Sequence, residues 1–230
     1  MALEQYRDEG FLADAMVNYL MTLGWTPPGA EEAGSEIVSW ASIEADFALE
    51  DVNLSPAFFD VKKLTAFNKQ YIKNMDAAAY LAAASAELRD DWDRNRFAAI
   101  APHIQERLET LKDVPGTVDF LFWPQGEGAP PIEYDDAAWD KAVKPEWAAA
   151  LLADVIAAYG AVGSWDHETL KASMEDLMVR YEIKLGKAQA LPRVAVTGRA
   201  VGPPLFEALE VLGRDETIRR LTAAADRLTG

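Results

Sequence analysis

At 230 residues, half of them hydrophobic and 26% charged, the chain can bury a sizeable core, and its length allows one to three domains. Lys and Arg number 22 against 38 Asp and Glu, a formal charge of −16 that, averaged over the chain, argues against nucleic-acid binding, DNA included. There is no cysteine and the only histidines are His103 and His167, which excludes a disulfide or thiol nucleophile and disfavours a zinc site.

The absence of an eighteen-residue apolar run, and a start that is neither basic nor continuously apolar, point to a soluble, cytoplasmic chain with no membrane partner. Residues 10–24 read as a helix with Leu12, Met16, Tyr19 and Leu23 on one stripe. Gly24 suits the position after its end, and Pro27-Pro28 stops it. Residues 29–34 read as a loop. Ser42 is placed to cap a short helix from Ile43 to about Leu49, and Leu54-Ser55-Pro56 reads as a turn.

The stretch from Phe58 to Ile72 stands out. At helical spacing Leu64, Phe67, Asn68 and Tyr71 share one face, while Lys62, Lys69 and Lys73 gather on the other. Charge is not spread evenly here: residues 58–75 hold four Lys against one Asp, and residues 180–199 hold five Lys or Arg against one Glu. By pattern alone a lysine face is a solvated surface.

Asp76 suits the N-cap of an alanine-rich helix from Ala77 to about Asp90. A helical stretch from Arg94 to Asp113 is predicted to break or kink near Pro102, with Ile104, Leu108 and Leu111 on its core face. Arg107 falls at the edge of that face, where it either snorkels along the core or presents its planar fork to a partner. Residues 124–132, PQGEGAPPI, are the best linker. Pro145 suits the first turn of a helix that Gly160 ends. Ser164 is placed to cap a longer helix with Leu170, Met174, Leu177 and Tyr181 as its stripe, and His167 near its start reads as an exposed polar residue. Val194, Val196 and Thr197 favour a short strand by propensity. Pro203-Pro204 starts a helix ended by Gly213, and Asp215 suits the cap of the last helix, Glu216 to Leu228. The bare reading is an all-helical protein.

Catalytic patterns are missing. There is neither a GxGxxG nor a GxxxxGK[ST] phosphate loop, and neither G-x-S-x-G nor HExxH. The pairs Asp90-Asp91 and Asp135-Asp136 sit in linkers or at helix starts, where a carboxylate meets the helix dipole favourably. The chain reads as a binding module.

Four collinear segments resemble the C-terminal part of bacterial glutamyl-tRNA synthetases. The first runs from Leu3-Glu4-Gln5-Tyr6-Arg7 through Gly10-Phe11-Leu12 to Asn18-Tyr19-Leu20 and Leu23-Gly24-Trp25. The second is Phe59-Asp60, then Lys63-Leu64, Asn68 and Tyr71-Ile72. The third is Arg107-Leu108-Glu109-Thr110-Leu111. The fourth is Pro192-Arg193-Val194-Ala195-Val196-Thr197-Gly198, with Gly202-Pro203-Pro204-Leu205-Phe206 and Leu212-Gly213. Together they span nearly the whole chain. In the family they follow a KMSKS-type loop and a Rossmann-type catalytic domain with an H-x-G-H motif, neither of which occurs here.

The resemblance implies an all-α fold, a helical stem-contact domain over residues 1–75 followed by a two-part α-helical-cage anticodon-binding domain, 76–132 and 133–230. It implies that residues 192–198 are helical, against their strand propensity. Arg107 matches the position that reads the last anticodon base, and guanidinium donors suit the exposed edge of an unstacked cytosine. Arg193, Gly202, Pro203 and Leu205 match positions around the first anticodon base, the apolar residues as a packing surface and Arg193 as charge or donor. Lys62, Lys69, Lys73, Lys184 and Lys187 are candidates for backbone phosphates, without a match in the family for any of them. The sequence departs from the family at Ala66, where many members have Trp, and at Gly202, which lacks the hydroxyl of some members.

The implied partner is tRNA(Glu), with tRNA(Gln) left open, bound by a monomer. The parent enzyme would attach glutamate to tRNA through a glutamyl-adenylate, using ATP and magnesium. This piece would hold no cofactor and no catalytic residue. The other reading, motivated by the acidity, is a helical protein–protein adaptor that keeps the fold without tRNA binding.

Overall fold

The structure is a computed structural model that describes residues 3–26, 37–38, 40–53 and 57–229. Every regular element among the described residues is helical. In order they are α1 (Leu3–Asp8), α2 (Ala13–Met21), α3 (Trp40–Asp46), α4 (Val61–Asn74), α5 (Ala77–Ser85), α6 (Arg94–Ile104) and α7 (Asp113–Val118). Then follow α8 (Asp136–Val143), α9 (Ala148–Ala161), α10 (His167–Tyr181), α11 (Leu185–Ala188), α12 (Ala190–Thr197), α13 (Leu205–Leu212) and α14 (Arg214–Thr229). Val194, Val196 and Thr197 lie in α12, fully packed, so burial overrides their strand propensity. The breaks predicted at Pro27-Pro28, residues 29–34 and Leu54-Ser55-Pro56 lie outside the described residues.

The chain folds into two compact units, Met1–Arg89 with Gln105–Gly116, and Asp90–Ile104 with Thr117–Gly230. In the first, α4 packs on α2. Asp60 caps α4, its carboxylate accepting from Lys62 N at 2.8 Å, and Leu64, Phe67, Asn68 and Ile72 face inward. Leu64 and Phe67 meet Tyr6, Met16 and Tyr19 in one cluster, and burial of each such side chain contributes about 1.5–3 kcal/mol. Edge-on rings lock it, Tyr19 against Phe59 at 5.1 Å and against Phe67 at 5.9 Å.

Several predicted boundaries move. The helix expected over residues 10–24 is shorter, Ala13–Met21, because Gly10 takes φ 85° and the chain is extended at Leu12 before α2 begins. Gly24 is not a left-handed terminus; its carbonyl accepts from Asn53 N at 2.6 Å, and a Cβ there would meet Val52. Ser42 lies inside α3, not at its cap. The α6 helix passes through Pro102 but tightens into a 3₁₀ turn, Gln105–Arg107, so Leu108 and Leu111 are buried from an irregular turn.

In the second unit α9 packs on α14 and α10, burying Leu151, Leu152, Val155, Leu170, Met174, Leu177 and Leu221. Pro145 forms a turn with Ala148 ahead of α9, and Gly160 lies within that helix. Asp166, rather than Ser164, caps α10 by accepting from Thr169 N at 2.8 Å. Asp215 belongs to the first turn of α14. Residues 124–132 are irregular, and Gly126 N donates to Glu216 at 3.1 Å.

Arginines close helix ends throughout this unit. Arg96 donates to Leu212 O at 2.9 Å and Arg214 to Val162 O at 2.7 Å. Arg220, 1% exposed, donates to Phe120 O at 3.0 Å, to Val196 O at 2.8 Å and to Glu216 at 2.6 Å.

Candidate functional site

Arg107 ends the 3₁₀ turn of the first unit, exposed, and its guanidinium has no hydrogen bond or ion pair among the described residues. The turn beneath it is rigidly held. Leu108 and Leu111 anchor it in the core at 1% and 8% exposure. Asn68, fully buried in α4, donates to Glu109 O at 2.6 Å and accepts from Leu12 N at 2.7 Å. Asp113 accepts from Thr110 N at 2.8 Å, and Gly10 O from Leu111 N at 3.3 Å. A Cβ at Gly10 would stand 2.8 Å from Lys112 N, so glycine is required for that approach. Gln105 donates to Ile72 O at 2.9 Å and Met75 O at 3.0 Å, fixing the turn to the end of α4. The sequence alternative for Arg107, a stem laid along the core, gives way to an exposed fork on a braced support.

Lys62, Lys69 and Lys73 are all exposed on the solvent side of α4, and Lys73 pairs with Glu106 at 3.4 Å. They form one face, as their spacing predicts.

In the second unit, Arg193, Gly202 and Pro203 come together and Leu205 follows. Arg193 Nη1 donates to Pro203 O at 2.5 Å, and a Cβ on Gly202 would lie 3.9 Å from that nitrogen. Pro203 and Leu205 are buried, so their apolar surface holds the loop against the core, while Arg193 and Gly202 are half-buried. Beside them lies a cavity of 650 Å³ with Lys141, Trp147, Lys187 and Arg193 in its wall and no Asp or Glu. In a chain of charge −16, an acid-free cavity with three cations and an indole is suited to a nucleotide. Lys184 is exposed at the start of α11 and does not line it.

Lys141 and Trp147 were not legible as site residues. They lie about fifty residues before Arg193, at the end of α8 and the start of α9, and only the packing of α8 on α12 gathers them. Among the described residues no cluster of three or more His, Cys, Asp or Glu could hold a metal ion, and no helix is long and apolar enough to cross a membrane.

Residues 54–225 match the family of the anticodon binding domain. The chain belongs to that family. It is similar over its whole length to the glutamate–tRNA ligase of Frankia casuarinae, at 51% identity, and over 99% of its length to that of Salinispora arenicola, at 50%. It spans 48% and 49% of those proteins, about half of each. A crystal structure of a glutamate tRNA ligase from Elizabethkingia meningosepticum shares its fold, with a TM-score of 0.77 and 26% identity. That match covers 97% of this chain and 43% of the other. The all-α expectation is met among the described residues, and the resemblance to glutamyl-tRNA synthetases is matched by these similarities.

Proposed function

We propose that this anticodon-binding domain holds tRNA(Glu) so that the other half of the ligase can attach glutamate to it. The observation that carries the reading is Arg107, a guanidinium without a hydrogen bond or ion pair among the described residues, on a turn fixed by Asn68, Asp113 and Gly10. Such a fork pre-organised at a surface suits the acceptor edge of the last anticodon base. Arg193, Gly202, Pro203 and Leu205 would shape the seat of the first anticodon base, with Pro203 and Leu205 positioning the loop from beneath. The lysine face of α4, with Lys184 and Lys187, would meet backbone phosphates. Residues 1–75 would contact the inner stem, and 76–132 and 133–230 would grip the anticodon arm. Glutamate activation, with its ATP and magnesium, belongs to the part of the relatives that this chain does not span; the domain works as a cytoplasmic monomer. No observation favours the adaptor reading.

Titration of the chain with tRNA(Glu) tests this. Binding should exceed that of an unrelated tRNA and fall steeply with salt; equal affinity for both tRNAs would overturn it. Arg107→Ala should cost about 1–3 kcal/mol of binding, and the loss should vanish for a tRNA changed at the last anticodon base.

A further inference from the structure

A second cavity opens in the same unit as the Arg193 cavity. It measures 520 Å³, and Trp123, Ile132, Glu133, Arg199 and Arg219 stand in its wall. The two cavities share no wall residue, yet they meet at consecutive positions, since Ala200 lines the first and Arg199 the second. They therefore lie on either side of the end of α12, where Gly198 turns the chain with φ 74°.

The wall is prepared for a flat, neutral, hydrogen-bonding ring. The Arg220 guanidinium sits 5.4 Å from the centre of the Trp123 ring, so the indole is held by a buried cation. Arg219 spends Nε and Nη2 on Glu216, at 2.8 and 2.7 Å, and its Nη1 has no acceptor among the described residues. Arg199 is fixed by Asp119, and Glu133 adds an acceptor at the rim. Donors and acceptors thus converge beside an aromatic face. A free phosphate would meet Asp119 and Glu133 as well as the arginines, so the mixed signs favour a base over an anion.

We infer that this cavity takes a third unstacked base of the same RNA loop, stacked on Trp123 and hydrogen-bonded by Arg219 and Glu133, with Arg199 at the crossing between the two cavities. This rests on the RNA-binding reading above. Its separate content is a base seat that uses none of Arg107, Arg193, Gly202, Pro203 or Leu205.

The test uses the whole chain and an RNA stem-loop with the anticodon loop of tRNA(Glu), carrying 2-aminopurine at each loop position in turn. One position should be quenched on binding in the unaltered protein. Trp123→Leu should relieve that quench and weaken binding about tenfold, within the range measured for base stacking on aromatic side chains. Ile132→Trp, which fills the cavity and leaves Trp123 on Arg220, should weaken binding similarly and carries the test if Trp123→Leu fails to fold. Arg107→Ala should weaken binding and leave that quench in place. If the stem-loop binds but neither cavity variant changes affinity twofold or alters any quench, the inference falls and the RNA reading stands. If the unaltered chain does not bind the stem-loop, the RNA reading itself falls.

Discussion

The two units bury polar side chains in opposite ways. The first hides neutral amides: Asn68 bridges Leu12 N and Glu109 O, and Asn18 accepts from Val38 N at 3.1 Å. The second hides charge, with Glu216 6% and Arg220 1% exposed and 2.6 Å apart. A neutral bridge depends on geometry alone, whereas an ion pair also depends on the protonation of its acid. Acid therefore acts on the buried pair of the second unit and not on the buried amides of the first.

The largest test of that contrast is Arg220→Ala. It takes one charged donor from Glu216, which keeps Arg219 and Gly126 N, and leaves the buried Phe120 O and Val196 O without that donor; together these should cost about 3–5 kcal/mol in urea unfolding. Asn68→Ala should cost less, about 2–4 kcal/mol, because it exposes two buried backbone groups and no charge. Asn68→Asp sharpens the point. The carboxylate can still accept from Leu12 N but faces Glu109 O without a donor unless protonated. The variant should therefore lose stability as pH rises past the carboxylate range, giving position 68 a pH dependence that the neutral amide does not have.

Acid reverses the roles. Burial pushes the Glu216 carboxyl up, yet hydrogen bonds from Arg219, Arg220 and Gly126 outweigh that and hold it at about 2, against an ordinary 4.5. A depressed acid contributes stability that is present above pH 4.5 and lost as pH falls towards 2. Amide hydrogen exchange across that window should show protection falling at Phe120 and Val196 before it falls at Leu12. Equal loss at all three would break the comparison.

The smallest effect sits at the surface. Glu210 accepts at 2.6 Å from the ring Nδ1 of a protonated His167, and this bond raises the histidine pKa above 6.5. Its contribution is full below pH 6.5 and disappears as pH rises through the raised value. His167→Ala should flatten that shallow slope in thermal unfolding.

What was legible followed physical rules that act locally. The stripe of α4 and the Asp76 cap come from neighbours within a turn or two, and both appear in place, Asp76 accepting from Ala78 N and Ala79 N at 3.0 Å. Asn68 could be seen inside an apolar face, but its two backbone partners lie 56 and 41 residues away, beyond any periodicity. Competing caps a few residues apart, Ser164 and Asp166, were decided by which oxygen reached Thr169 N. Arg193 and Lys187 of the first cavity were legible, but Lys141, Trp147 and the wall of the second cavity escaped for the same reason as the partners of Asn68. Lys141 and Trp123 acquire meaning only when α12 is packed beside them.

Gly10 carries a mechanical consequence. Its carbonyl and the Leu12 amide, through Asn68, fasten the Arg107 turn to α1 and α2, elements a hundred residues earlier in the chain. A force on the Arg107 fork is then carried along stiff helices to the start of the unit rather than absorbed by a soft loop. Any side chain at Gly10 would push Lys112 away and loosen that linkage, turning a lever into a spring.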